Sequence, residues 1–223
     1  VISDLLPCAI LVPSLNRPQN LKRLVENIHE VTPEMHFINF CVSDDESKAA
    51  LDDLDEFYLD DSDFEDRRYV TRMNKLVGEL DDAKTVFFGS DDVLHHDGWL
   101  RAALTVMERE NKAVVVVNDM HNANGTQAVV RRDYLPRAVF DDPREAFHNG
   151  YLHNFADNEM FLTAQVQGEF TRAMDSFVEH LHPLFGSNNK LGWDDTYNNA
   201  QKGWEQDSSL WDFRRAQIFA WKS

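Results

Sequence analysis

At 223 residues, with 43% hydrophobic and 11% aromatic residues, the chain is long enough to bury an α/β core without a disulfide framework. A formal charge of −17, from 22 basic against 39 acidic residues, argues against a protein that grips nucleic acid chiefly through phosphate contacts. The longest wholly apolar run, Ala113 to Val117, falls far short of the ~20 residues that span a bilayer, so no membrane insertion is expected and the default compartment is the cytoplasm.

The first element is a buried-strand run, Cys8-Ala9-Ile10-Leu11-Val12, stopped at Pro13. Ser14, Leu15, Asn16 and Arg17 then turn into a helix whose apolar residues Leu21, Leu24, Val25 and Ile28 repeat at i, i+3, i+4, i+7. Asn16 is the expected N-cap, with Pro18 in the first turn, and the turn's N–H groups and Arg17 face the edge of the sheet where ligands bind. A second strand, His36 to Val42, completes a strand-helix-strand unit and ends at Ser43-Asp44-Asp45. The stretch from Asp44 to Asp66 holds twelve acids against Lys48 alone and reads mostly as a solvated surface, with a thin apolar face of Leu51, Leu54, Phe57 and Tyr58. A helix over Thr71 to Leu80 follows, with Met73, Leu76, Val77 and Leu80 inward and Arg72 and Asn74 on the other face. Cys8 and Cys41 both fall in strands, where a thiol acts as a small hydrophobe; a disulfide between neighbouring strands stays open, although two cysteines make no framework.

The central strand is Thr85-Val86-Phe87-Phe88, bounded by Lys84 and Gly89 and followed by Ser90-Asp91-Asp92. Its continuous apolar run is that of a strand covered on both faces. Beyond His95 and His96 come a helix from about Asp97, a strand over Ala113 to Asn118, a turn at Asn122-Ala123-Asn124-Gly125, and a returning strand over Thr126 to Val130. The alternation then weakens. Ala156-Asp157-Asn158-Glu159 opens a helix, where the dipole favours acids in the first turn. Phe177 to Pro183 reads as a short strand ended by proline, with His180 and His182 on one side. Gly192 to Tyr197 introduces an aromatic helical tail with Trp204, Trp211, Phe213, Phe219 and Trp221; Trp193, Asp194, Asp195 and Tyr197 serve either an acceptor side or packing and capping. The fold expected is a Rossmann-like mixed sheet flanked by helices, with residues 1–120 as a ligand-binding half of one domain and 121–223 as a less regular second half.

Adjacent aspartates recur along the chain, yet only Asp44-Asp45 and Asp91-Asp92 directly follow a convincing apolar strand. Open α/β sheets bind ligands at the carboxyl ends of their strands. Two adjacent carboxylates repel unless a cation or donors offset them, and oxygen-rich sites of this kind suit Mg²⁺ or Mn²⁺.

In this order the motifs resemble the GT-A fold of nucleotide-sugar-dependent glycosyltransferases, and more particularly family 2. The segment from Ile10 to Pro18 is similar to that family's opening strand and donor loop, which implies donor contacts from Pro13, Ser14, Asn16 and Arg17. By the same resemblance Asp44, with Asp45 beside it, takes the place of an acid that contacts the nucleobase, and Arg72 and Asn74 join the donor-binding candidates. Ser90-Asp91-Asp92 looks like the metal motif with Asp92 as ligand; serine replaces a usual aspartate, which moves any ribose contact to Asp91 or elsewhere. Asp157 is then the implied catalytic base, with Glu159 as rival, and His182 the implied late metal ligand, with His180 as rival.

The resemblance implies transfer of a glycosyl group from a nucleoside-diphosphate sugar to a hydroxyl, assisted by Mn²⁺ or Mg²⁺, with one base and inversion at the anomeric carbon. The acceptor is a soluble glycan, a metabolite or a hydroxymethylated base in DNA. For DNA the only candidates are Arg131, Arg132, Arg137 and the tail tryptophans. The competing readings are a nucleotidyltransferase, whose usual Gly- and Lys/Arg-rich phosphate loop is missing after the first strand, and a non-catalytic binding module on the same fold.

Overall fold

Strands β1 (Cys8–Pro13), β2 (Phe37–Val42), β3 (Tyr58–Asp60) and β4 (Thr85–Phe88) run parallel to one another. The structure is a computed structural model describing residues 2–32, 37–80, 82–121, 125–185 and 190–222. β5 (Val93–His95), β6 (Val114–Asn118), β7 (Ala128–Arg131) and β8 (Phe170–His180) complete an eight-stranded mixed sheet in the order β3-β2-β1-β4-β7-β6-β8-β5. Strands from before and after residue 120 are interleaved in this single sheet.

The layers follow from the period of two along each strand. Cys8, Ile10 and Val12 of β1 face helices α1 (Pro18–Val31) and α4 (Trp99–Glu110), where Leu21, Leu24, Val25, Ile28, Leu100 and Leu104 are buried. Ala9 and Leu11 face the other way, toward α3 (Tyr69–Gly78) and α5 (Ala156–Gln167), with Val70, Met73, Leu76, Met160 and Ala164. Both faces are covered, so the inner strands read as unbroken apolar runs rather than alternating ones. Cys8 and Cys41 are free, buried thiols, and burial pushes each up to about 12.

Several expected boundaries shift. The N-cap of α1 is Arg17, not Asn16, which takes a left-handed φ of 55°. The acidic stretch folds into α2 (Asp45–Asp52) and the edge strand β3, with Phe57 left exposed. β5 is three residues long and follows Asp92 directly. The strand expected at Phe177 starts at Phe170 and ends at His180, so His182 lies beyond it. His36 and residues 122–124 of the expected turn fall outside the described residues.

β8 is the element that shapes the functional edge. Its first part pairs in parallel with β6 as far as Val117 opposite Ala173; the register then jumps so that Asn118 lies opposite Phe177. Such an irregularity bends a strand, and the last residues of β8 pair antiparallel with β5, Val93 opposite His180. The chain closes with α6 (Asp195–Lys202) and α7 (Trp204–Lys222). No helix among the described residues is long and apolar enough to cross a membrane.

Candidate active site

Strand direction brings the polar residues together. β6 runs parallel to β4 and β8 parallel to β6, so the carboxyl ends of β1, β2, β4, β6 and β8 deliver Ser14 and Arg17, Asp44, Asp91 and Asp92, Asp119, and His180 to one edge. β7 runs the opposite way and contributes its amino end, Thr126 and Gln127.

Asp92 is the centre. Its Oδ1 accepts from the Ser90 hydroxyl at 2.6 Å, and its Oδ2 accepts from the Tyr197 hydroxyl at 2.9 Å and faces His180 Nε2 at 3.3 Å. The β5–β8 pairing explains the last contact, because Val93 follows Asp92 and lies opposite His180, and Leu181 N–H donates to the Asp92 carbonyl at 2.8 Å. Thr126 Oγ1 lies 3.2 Å from His180 Nδ1, which fixes the ring's other side. Burial favours the neutral forms of both partners, but each stabilises the other's charge: the Asp92 pKa is lowered and that of His180 raised.

Asp91 is buried and accepts from Ser14 Oγ and from Arg17 Nη1, the latter at 2.9 Å. Burial raises its pKa in spite of Arg17. Arg17 also donates through Nε and Nη2 to the two oxygens of Asp194, both at 2.8 Å, and stacks on Tyr197 with 4.1 Å between guanidinium carbon and ring centroid. Asp194 is at the same time the N-cap of α6, accepting from Tyr197 N–H at 3.1 Å. The turn after β1 is braced by Arg72, a buried residue that donates to the Ser14 carbonyl at 3.2 Å and Ser43 Oγ at 3.1 Å and pairs with buried Asp61 at 2.5 Å. Asp44 caps α2 through Ser47 N–H and accepts from Asn16 N–H at 2.8 Å, and Pro13 closes β1 beside Cys41.

Asp157 stands in the first turn of α5. Burial pushes its carboxyl up to about 6, against the backbone N–H groups of the turn, and the charge of His180 reaches it. His182 contacts Tyr197 edge-on with 4.5 Å between centroids and lies 5.6 Å from the His180 ring.

Other candidates lie elsewhere. Glu159 is 1% exposed and committed to Arg214, at 2.6 Å, and to the Tyr151 hydroxyl, so its oxygens are occupied inside the core. Asn74 spends its amide on Phe147, Ala146 and Asn149 of the loop before α5. Asp45 is solvated at the start of α2, 3.8 Å from Lys48. Arg131 pairs with Thr85 at the amino end of β4, so Arg131, and Arg132 and Arg137 in the 3₁₀ turn that follows, sit at the opposite edge of the sheet from Asp92. They form no groove at this site. His95, the last residue of β5, is a core histidine against Trp99, with its pKa lowered by burial to about 3. Sequence reasoning missed the contacts of Ser90, Thr126 and Gln127; only Ser90, inside the Ser90-Asp91-Asp92 motif, carried a signal.

The donor set fits a hard divalent cation. Adjacent ligands of an octahedral Mg²⁺ lie roughly 3 Å apart given bonds of about 2.1 Å, and the Asp92 oxygen and His180 nitrogen are 3.3 Å apart. Among the described residues no three His, Cys, Asp or Glu side chains are grouped to hold a metal alone. One carboxylate and one imidazole suit a cation that takes its remaining ligands from water and phosphate oxygens.

The eight-stranded mixed sheet flanked by helices has the GT-A, Rossmann-like fold of the solved structures it resembles. No family model and no curated protein matches the chain in sequence. Among solved structures it is similar to glucosyl-3-phosphoglycerate synthase from Mycobacterium tuberculosis in complex with Mn²⁺, UDP-glucose and phosphoglyceric acid, with a TM-score of 0.65 and 9% identity over 94% of this chain and 79% of that one. It is also similar to a mannosyltransferase from Pyrobaculum calidifontis in complex with GDP-mannose and Mn²⁺ (TM-score 0.61, 14% identity, 79% of this chain and 57% of that one). A third is TarS of S. aureus (TM-score 0.59, 11% identity, 78% of this chain and 36% of that one). The match therefore spans little more than half of the mannosyltransferase and about a third of TarS.

Proposed function

We propose that the protein is a metal-dependent, inverting glycosyltransferase that moves a sugar from a nucleoside-diphosphate sugar to a hydroxyl acceptor. The observation that carries this reading is the contact between Asp92 and His180 at the carboxyl edge of a GT-A sheet. The similar structures bind Mn²⁺ with UDP-glucose or GDP-mannose, which makes those donors the first to test.

Asp92 and His180 would hold Mn²⁺ or Mg²⁺, with Ser90 and Thr126 fixing their orientations. When bound, the cation neutralises charge growing on the leaving diphosphate. Ser14, Asn16 and Arg17 line the donor turn and Asp44 the nucleobase side, while Asp91 anchors Ser14 and Arg17 rather than reaching the ribose. Asp157 accepts the proton of the attacking hydroxyl. In that step the acceptor oxygen bonds to the anomeric carbon, the bond from that carbon to the diphosphate breaks, and its electron pair leaves on the diphosphate. A single displacement on one base inverts the anomeric centre. Residues 1–120 supply most of the donor side and residues 121–223 the base, the imidazole and the acceptor side. A soluble glycan or small hydroxyl metabolite is the acceptor class.

Thermal unfolding with UDP, GDP, UDP-glucose and GDP-mannose, each with Mn²⁺ and with EDTA, tests the reading. Expected is protection by at least one of them that EDTA removes. No Mn²⁺-dependent protection by any of the four rejects it.

A further inference from the structure

The segment 148–155 that leads into α5 has no regular structure, yet it is tied to the C-terminal helix by one carboxylate. Asp207 of α7 is fully buried and accepts from the backbone N–H groups of Leu152 at 2.8 Å, His153 at 3.0 Å and Asn154 at 2.8 Å, and from Asn154 Nδ2 at 3.3 Å. Three successive peptide donors converging on one ionised acceptor make a strong, directional clamp.

The next residue, Phe155, is the N-cap of α5 and takes a left-handed conformation, φ 66° and ψ −1°, which is unfavourable for a side chain with a Cβ. Such a conformation persists only where its surroundings hold it. Here α7 does so: the Phe155 ring packs on Trp204 with 4.7 Å between centroids and stacks parallel to Trp211 at 6.5 Å. Beyond Asp157, the same helix grips α5 through Arg214, which donates to buried Glu159 and to both oxygens of Asp141. Asp157 therefore sits between two points of attachment to α7, one residue pair before it and one after.

We infer that Asp207 is a positioning residue for Asp157: by fixing the backbone at Leu152 to Asn154 it sets where the first turn of α5 begins and so where the base stands. The inference rests on the reading of Asp157 as base. Asp207 bonds the segment before α5, through three backbone N–H groups and the Asn154 amide, and not Asp157 itself; a misplacement of about 1 Å in a catalytic group is enough to cost on the order of 100-fold in rate.

The test uses the full chain and whichever of UDP-glucose or GDP-mannose gives the larger Mn²⁺-dependent protection, with water as acceptor. In this slow reaction the water oxygen bonds to the anomeric carbon, the carbon–diphosphate bond breaks toward the diphosphate, and the released proton goes to Asp157. Nucleoside diphosphate release is followed in the wild type, Asp207→Asn, Trp204→Leu and Asp157→Asn, with amide hydrogen exchange on each. Asp207→Asn is expected to lower kcat about 10- to 100-fold, keep the donor KM within about twofold, and speed exchange at Leu152, His153 and Asn154 with β1 unchanged. Trp204 is half exposed, so Trp204→Leu tests the clamp even if Asp207→Asn does not fold, with the same split between kcat and KM at smaller size. Wild-type kcat in both variants beside an inactive Asp157→Asn overturns the positioning role and leaves the base standing. An active Asp157→Asn, or a wild type that releases diphosphate from neither donor, overturns both.

Discussion

The hydroxyl of Tyr197 and the imidazole of His180 meet at one atom, Oδ2 of Asp92, at 2.9 and 3.3 Å. The tyrosine comes from α6, which is itself held by the two-pronged bond between Arg17 and Asp194. A cation taken up by Asp92 and His180 would compete with this hydroxyl for the same oxygen. A hydrogen bond to a charged group is worth about 1.5–3 kcal/mol, so Tyr197→Phe is expected to tighten Mn²⁺ binding in the presence of UDP about tenfold, read by calorimetric titration. Weaker binding in this variant would show that the hydroxyl orients Asp92 instead of competing for it.

His180 and His182 are separable. His180→Ala is expected to abolish the Mn²⁺-dependent part of UDP protection, while His182→Ala, whose ring packs against Tyr197, keeps that protection within a few-fold. Equal losses in the two variants would mean that both imidazoles serve the cation.

Asp157 gives a pH signature. Its folded pKa, about 6, lies above the ordinary 3.8, so the carboxyl is mostly ionised only above pH 6, and under the proposed role of base kcat/KM is expected to rise with pH through an apparent pKa near 6. The stability effect has the opposite sign. The folded state binds the proton more tightly than the unfolded chain, so this group destabilises the fold as pH rises from about 4 to about 6. Asp157→Asn should be more stable than wild type at pH 7 by on the order of 3 kcal/mol, and the gap should shrink steadily toward pH 4. A constant gap across that range contradicts the burial of the carboxyl.

Glu159, the other acid of the same turn, is expected to behave differently. Removing one partner of a buried ion pair typically costs about 3–5 kcal/mol, so Glu159→Ala should lower stability by that order in denaturant unfolding. Glu159→Gln retains the bond from Tyr151 and should keep the pH dependence of kcat/KM. Loss of the limb near pH 6 in Glu159→Gln would return the role of base to Glu159.

What the sequence made legible and what it hid have physical causes. β1, β2 and β4 are covered on both faces, so their runs of apolar residues were unmistakable, and parallel pairing then forces Ser14, Asp44 and Asp92 to one edge. The choice between His180 and His182 was not legible, because period-two reasoning carries a strand on to Pro183, whereas β8 changes partner at its irregularity and stops at His180. β5 was missed because three residues show no period. Arg72 reads from the sequence as a donor-binding candidate on the other face of its helix, and its buried pairing with Asp61 from the acidic stretch could not be read from spacing. Asp207 and Arg214 carried no signal at all: an acid and a base in an aromatic-rich tail are indistinguishable from solvated charges until their partners, some 50 to 70 positions earlier, are placed.

The change of partner along β8 also couples two neighbours mechanically. Asp92 leads into β5, and His180 ends the strand that β5 pairs with, so flexing of this rim carries carboxylate and imidazole together. Because β5 and β8 are hydrogen-bonded neighbours, a shift of either strand bears on carboxylate and imidazole at once.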